Sequence, residues 1–382
     1  MSQTQTAPAP AKPGRASSGL DLPKILLEGR AFIALIVIIL IFSFLSPNYF
    51  TVNNLLTMSA HVAVYAILAI GMLMVILNGG IDLSVGSTVG LSGVIAGFLM
   101  QGVKLPGMEV TLYPAVWVCA VLALAVGALV GWVNGMLVAK AGVAPFVATL
   151  GTLYVVRGIA LLITGGLTYP NLRGDPALGN TGFDALGFNR ILGIPTGVLV
   201  MIVIALLGSF LLNRTAFGRW LYASGGNARA AELSGIPVKK VQIRIYVMSG
   251  TCAAIAGVII ASELTSANPT AGNSFELTAI AAVVIGGAAL SGGRGNIRGT
   301  LLGAFVIGFL SDGLVIIGVS EYWQMVFKGA VIVVAVMLNR IEGRSRRIKH
   351  ATAPAAAPPG GPGAGTAPPA VDTADTANPA KP

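Results

Sequence analysis

Charge is scarce in this chain: Lys, Arg, Asp and Glu together make up 10% of its 382 residues. A soluble domain typically carries about 25%, so a soluble globular fold is excluded. Cysteine is nearly absent. Cys119 and Cys252 lie in separate apolar runs, and neither a disulfide nor a metal framework follows from them. The two histidines, His61 and His350, are far apart in sequence. No histidine metal site is expected, nor the clustered His, Asp, Glu or Cys that a membrane-embedded enzyme would need. No catalytic residue, metal ligand or cofactor is therefore assigned. The pattern G-x-x-x-x-G-K-[ST] occurs nowhere, so the chain cannot cradle nucleotide phosphates in a P-loop. No cleavable leader is expected either, because residues 1–24 are polar and Pro/Ala-rich and no small-residue cleavage site follows the first apolar run.

What the chain has is apolar length. Hydrophobic residues make up 55%, and the mean hydropathy is +0.82. A spanning helix needs about 20 mostly apolar residues. Ten segments qualify: 31–46, 58–78, 84–101, 113–138, 144–164, 195–213, 244–263, 275–290, 299–319 and 323–339. Residues 51–57, TVNNLLT, are expected to form a brief interfacial helix. The expected fold is an all-α polytopic membrane protein of about ten transmembrane helices. If the N-terminus is cytoplasmic, 19 of the 24 Lys and Arg residues fall on inside segments and three on outside loops (Lys104, Arg173, Arg190). Arg157 and Lys328 fall within spans. The positive-inside rule thus places both termini in the cytoplasm, and it accounts for the formal charge of +10 without nucleic acid. The domain plan is a cytoplasmic tail over 1–30, a transmembrane domain over 31–340 with a cytoplasmic loop at 214–240, and an Ala/Pro-rich cytoplasmic tail over 341–382. The last is expected to be disordered, because it has almost no bulky apolar residue to offset its ordering entropy.

Three stretches carry chemistry. The first is NGGIDLSVGS, residues 78–87. Asp82 sits between apolar runs, where an ionised carboxylate is expensive. Two readings stand. Asp82 caps the third span at the cytoplasmic edge, accepting the amide of Ser84 or Val85 while Gly79 and Gly80 permit the reversal. Alternatively, Asn78, Gly79, Gly80, Asp82 and Ser84 form a helix break deeper in the bilayer that lines a path. The second stretch, GGAALS at 286–291, echoes GGIDLS at 79–84, and 127–143 is echoed by 303–319. An internal repeat of this kind is common in transporters; Gly286, Gly287 and Ser291 are the matching hinge positions. Ala289 stands where the first motif has Asp82, so both halves do not require a carboxylate. The third stretch is the loop 214–240. Asn227 is a helix N-cap, residues 228–234 are mostly helix formers, Gly235 suits the left-handed C-terminal position and Pro237 blocks continuation. A two-turn helix with small faces needs a partner to pack against.

The residues resemble the ribose/xylose-type permease subunits of bacterial ABC importers. The resemblance rests on NGGIDLSVGS (78–87), NGMLVAKAGVAPFVATLGTLYVVRGIA (134–160), AFGRWLYASGGNARAAELSGIPV (216–238) and FELTAIAAVVIGGAALSGGRGNIRGTLLGA (275–304). It implies a permease in the bacterial inner membrane that imports a monosaccharide or polyol. The implied partners are a cytoplasmic ABC ATPase that binds the ATP, a periplasmic sugar-binding protein and a second permease copy or homologue. It also implies that helix 228–234 docks in a cleft of the ATPase, with Arg219, Gly226, Asn227, Ala230, Ala231, Glu232, Leu233, Gly235 and Ile236 as coupling residues. The rival reading, an ion-coupled secondary transporter, would need acids in the middle of spans, and none is read there. Glu263 and Glu276 flank a short outside connection; they line an outward vestibule, contact the binding protein or sugar hydroxyls, or are solvated helix-end acids. Arg157 either pairs inside the bundle or snorkels to the outer interface.

Overall fold

The computed structural model describes residues 29–337, apart from 105, 106, 108, 188, 335 and 336. The remainder of both expected tails lies outside the described residues. The described residues are mostly helical. Its helices are α1 (Arg30–Leu45), α2 (Val52–Leu77), α3 (Val85–Met100), α4 (Val116–Ala139), α5 (Pro145–Thr164), α6 (Thr196–Arg214), α7 (Ala216–Gly226), α8 (Ala228–Leu233), α9 (Val238–Glu263), α10 (Phe275–Ile285) and α11 (Ile297–Ile316). Residues 321–334 form a further helix, α12. Two minimal hairpins, Val103–Lys104 with Thr111–Leu112 and Arg190–Ile191 with Ile194–Pro195, close connections.

Helices stand at all ten positions read as spans. Six of them (α2, α4, α5, α6, α9 and α11) are long and apolar enough to cross a membrane. The stretches 31–45, α3 and α10 are shorter apolar helices. Two boundaries differ from expectation. Residues 51–57 are no separate interfacial helix: Thr51 caps α2 by accepting the Asn54 amide, and the helix runs unbroken from Val52. The eighth segment stops at Ile285 rather than 290, where Gly286 and Gly287 end the helix.

The bundle is built around α2 and α9. From Ala66 to Leu77 helix α2 is apolar on every side, as a stretch buried all round must be, and these residues are buried without exception. Helix α9 runs alongside it and also packs on α3 and α4; α11 packs on α10, α2 and α1. The α4–α9 seam is set by Gly127, Gly131 and Gly135, spaced by four. A Cβ at Gly131 would overlap the Tyr246 carbonyl, and one at Gly135 would come within 2.7 Å of the Ile243 Cα. Small residues at this spacing let two helix backbones touch. Helices α4, α5 and α6 leave most of their apolar faces open.

Candidate functional site

After α2 ends, the chain does not leave the bundle. Residues 78–84 run back into it, and Asp82 is buried, with 1% of its surface exposed. Its Oδ1 accepts the Ser84 amide at 3.0 Å and the Ser84 hydroxyl at 2.6 Å; its Oδ2 accepts the Ser249 hydroxyl at 2.8 Å. Asn134 of α4 donates its amide to the Ser84 hydroxyl at 2.8 Å, and the Thr149 hydroxyl of α5 reaches the Ile81 carbonyl at 3.2 Å. The acid thus ties the segment to α9 directly, to α4 through Ser84, and its neighbour Ile81 to α5. The Ser84 amide bond is the one expected of a cap, although Ser84 rather than Asp82 occupies the N-cap position of α3. Ser249 lies about 16 Å along α9 from its first residue at 1.5 Å per residue, near the helix midpoint. The segment turns back into the bundle, and its carboxylate lies beside the middle of α9. Asn134 carried a sequence signal only as a polar residue in an apolar run, and it bonds to this segment. Ser249 carried no sequence signal beyond being a hydroxyl in an apolar run.

The second glycine motif meets the first. The Gly293 amide donates to the Leu77 carbonyl at 2.8 Å, and a Cβ at Gly79 would lie 3.7 Å from the Ser291 carbonyl. Gly287, Gly292 and Gly293 all have positive φ, and Ala289 donates its amide to the Arg294 carbonyl. The second motif therefore opens an irregular connection to α11, capped by Asn296, and not a glycine-rich helix start like that of α3. Gly286 serves packing: a Cβ there would overlap Gly299 of α11.

Helix α7 closes this junction. Ser224 donates to the Asn78 side-chain oxygen at 3.0 Å, and Tyr222 donates to the Gly295 carbonyl at 2.8 Å. Burial pushes the Tyr222 phenol above its ordinary pKa. A Cβ at Gly225 would overlap the Leu77 carbonyl. Beyond α7 the chain turns at Gly226 and Asn227 into α8. Asn227 Oδ1 accepts the Ala230 amide at 3.0 Å. At the other end Gly235 has φ +81°, its amide bonds to Glu232 O and the Ile236 amide to Ala231 O, which completes a Schellman ending. Ala231 is buried, whereas Ala230, Glu232 and Leu233 are exposed, Leu233 by 76%. Arg219 is also exposed. Arg229 and Glu232 pair at 3.3 Å on the open surface, a contact worth little there.

Glu263 and Glu276 enter different assemblies. Glu276 faces Gly86 and is attracted by Arg157. The Arg157 guanidinium lies inside the bundle and donates to the carbonyls of Pro269, Ala271 (2.9 Å) and Gly86 (3.2 Å). Glu263, on α9, lies 3.8 Å from His61 Nε2, while Asp312 of α11 holds His61 Nδ1 at 3.2 Å. Sequence reasoning missed this group. His61 was weighed only against His350, and Asp312, an acid inside the ninth segment, was passed over.

An apolar helical bundle with a buried re-entrant segment, interlocked with a capped and exposed loop helix, defines a multi-pass membrane transport protein. The comparisons give the family. Residues 54–336 match the model described as branched-chain amino acid transport system / permease component, and the chain belongs to that family. It is 44% identical to the ribose import permease protein RbsC of Escherichia coli (strain K12) over 82% of this chain and 94% of that one. It is also 44% identical to RbsC of Bacillus subtilis (strain 168), over 81% and 91%. The D-allose transport system permease protein AlsC of Escherichia coli (strain K12) is 38% identical over 81% and 90%. No solved structure matches the chain.

Proposed function

We propose that the chain is the membrane-spanning permease of an ATP-driven importer that carries a monosaccharide across the bacterial inner membrane. The relatives named for ribose and D-allose import support the substrate class, and a pentose or a related sugar or polyol is the expected cargo. In this reading the chain crosses the lipid bilayer ten times with both ends in the cytoplasm, its two glycine motifs stand at related places in an internal repeat, and it pairs with a second permease copy or homologue. A periplasmic binding protein delivers the sugar, and a separate ATPase subunit binds and hydrolyses the ATP. An ion-coupled transporter is not favoured, since the relatives are import permeases of one family.

The observation that carries the reading is the physical chain from α8 to Asp82. Helix α8 presents Ala230, Glu232 and Leu233 outward on a fully capped two-turn frame. Helix α7 continues from it and locks onto the end of α2 through Ser224–Asn78 and through Gly225 against Leu77. Residues 78–84 then lead directly to the carboxylate anchored on α9. Closure of the ATPases moves α8; α7 passes that displacement to the re-entrant segment, and the path switches between outward and inward exposure. The residues make no covalent bond with the sugar.

The test is co-expression with the cognate ATPase, followed by capture and by uptake of labelled ribose, xylose and allose. Wild type is expected to capture the ATPase and import at least one sugar. Leu233→Asp, which places a charge on the docking face, is expected to lose both. Capture of no ATPase by wild type, or undiminished capture and uptake by the variant, overturns the coupling assignment.

A further inference from the structure

The ionisable group of His61, Asp312 and Glu263 has no part in the coupling route. Three helices bring it together: α2 supplies His61, α11 supplies Asp312 and α9 supplies Glu263 at its last residue. The imidazole stands between the two acids, 3.2 Å from Asp312 and 3.8 Å from Glu263. Lys328 of α12 lies within electrostatic range of Asp312. One turn further along α2, Tyr65 stacks edge-on against Phe275 of α10, with ring centroids 5.0 Å apart, and Tyr65 also feels the Asp312 charge.

Exposure decides what this group is for. The His61 side chain is 45% exposed, although it belongs to the first half of a helix of spanning length and apolarity. Ionisable side chains on such a helix avoid hydrocarbon; they face the protein interior or a water-filled cavity and mark substrate routes. Asp312 and Glu263 are each partly exposed. With the N-terminus cytoplasmic, the start of α2 and the ends of α9 and α11 all lie toward the outer face, the side from which sugar arrives. Two carboxylates and an imidazole offer acceptors and a donor to hydroxyl groups, and a neighbouring aromatic pair offers an apolar face to ring C–H groups. Such a mixture of a few directed polar groups and aromatic surface is how small polar ligands are held.

We propose that His61, Asp312 and Glu263, beside the Tyr65–Phe275 pair, form a binding station for the hydroxyl groups of the transported sugar on the outward side of the path. The assignment rests on the sugar-permease reading and names the residues that would touch its cargo. It also gives Glu263 a partner set, which separates it from Glu276.

The test uses the full chain. Saturation-transfer NMR on the permease in nanodiscs, with D-ribose, D-xylose and D-allose as probes, is expected to show sugar protons in contact with wild type for at least one of them. The signal is expected to be lost in His61→Phe and in Asp312→Asn. In the complete transporter with its binding protein, each variant is expected to raise KM for that sugar about tenfold or more, the loss of a hydrogen bond to a charged group. ATPase capture and binding-protein-stimulated hydrolysis stay at the wild-type level. If wild type imports sugar but gives no saturation transfer, or the variants keep both signal and KM, the station is refuted while the permease reading stands. Loss of capture together with uptake shows a merely structural role and also refutes it. If wild-type transporter imports none of the sugars, the functional reading itself fails and the station with it.

Discussion

Replacing Asp82 separates its hydrogen-bonding role from its charge. The carboxylate accepts three hydrogen bonds: two from Ser84 and one from Ser249. Asp82→Asn keeps the shape. Its carbonyl oxygen can still accept both Ser84 donors, and its NH2 faces the Ser249 hydroxyl, which can turn and accept. Three charge-assisted bonds become neutral ones, each weaker by about 1 kcal/mol, while the cost of burying an ionised group, several kcal/mol, disappears. The two changes oppose each other, so a net effect within about 2 kcal/mol is expected. Asp82→Ala has no such offset. It leaves the Ser84 amide, the Ser84 hydroxyl and the Ser249 hydroxyl without their acceptor in a buried place, at about 1–3 kcal/mol for each donor that finds no other partner. A loss of roughly 3–9 kcal/mol follows if none of the three finds another partner. Thermal unfolding of the purified permease in detergent, followed by intrinsic Trp fluorescence, compares the variants. The expected order is wild type close to Asn, with Ala lowest, and uptake retained in Asn but lost in Ala. An Ala variant that melts with wild type, or an Asn variant that melts below Ala, refutes the anchoring argument. An Asn variant that is stable but inactive would instead show that the charge itself acts in the gate.

Four further outcomes test the rest of the route and the packing of the bundle. Gly225→Ala puts a methyl into the Leu77 carbonyl, so uptake is expected to fall at least tenfold while ATPase capture persists, because α8 lies beyond the break. Asn227→Ala removes the acceptor for the Ala230 amide and weakens α8 by about 1 kcal/mol; a several-fold weaker capture of the ATPase is expected, restored by Asn227→Asp. Gly131→Val drives side-chain atoms into the α9 backbone at Tyr246 and is expected to cost about 3 kcal/mol of stability by overpacking. Gly151→Ala on α5, where a Cβ meets open space, should instead raise the melting temperature slightly, since alanine favours a helix interior over glycine by about 1 kcal/mol.

Local chemistry was legible in the sequence; long-range pairing was not. Asn227, Gly235 and Pro237 announced α8 and both of its ends because caps are written in adjacent residues. Helix α7 was invisible for the opposite reason. Three of its residues, Gly218, Gly225 and Gly226, disfavour a helix, and the structure holds it by tertiary contacts: Leu221 is fully buried, and Gly218 fits against the Leu212 carbonyl. The apolar runs placed the helices, but they could not tell a crossing from a segment that turns back, since residues 78–84 are short and flanked by similar sequence. His61 and Asp312 are 251 positions apart, and nothing in one chain's sequence signals that α2 and α11 bring them together.

The substitution of Ala289 for Asp82 between the two glycine motifs now has a physical meaning. The first motif sends the chain back into a packed interior, where polar groups need partners; its carboxylate accepts the Ser84 amide and the Ser84 and Ser249 hydroxyls. The second motif does not go so deep. Its turn closes on itself through the Ala289–Arg294 backbone bond, and its glycines lean on Leu77 and Gly225. One motif is fixed by a buried carboxylate that bridges two elements, whereas the other leans on α2 through the Gly293–Leu77 backbone bond, on α11 through Gly286 and on Tyr222 of α7. A push from α8 through α7 therefore meets a stiff element and a compliant one. The connection 286–296 is expected to move first, and the segment carrying Asp82 to act as the pivot. Hydrogen exchange on the ATPase-bound permease, with and without ATP, checks this: amides of 287–295 should change protection more than those of 81–85, and the reverse order would assign the pivot to the second motif.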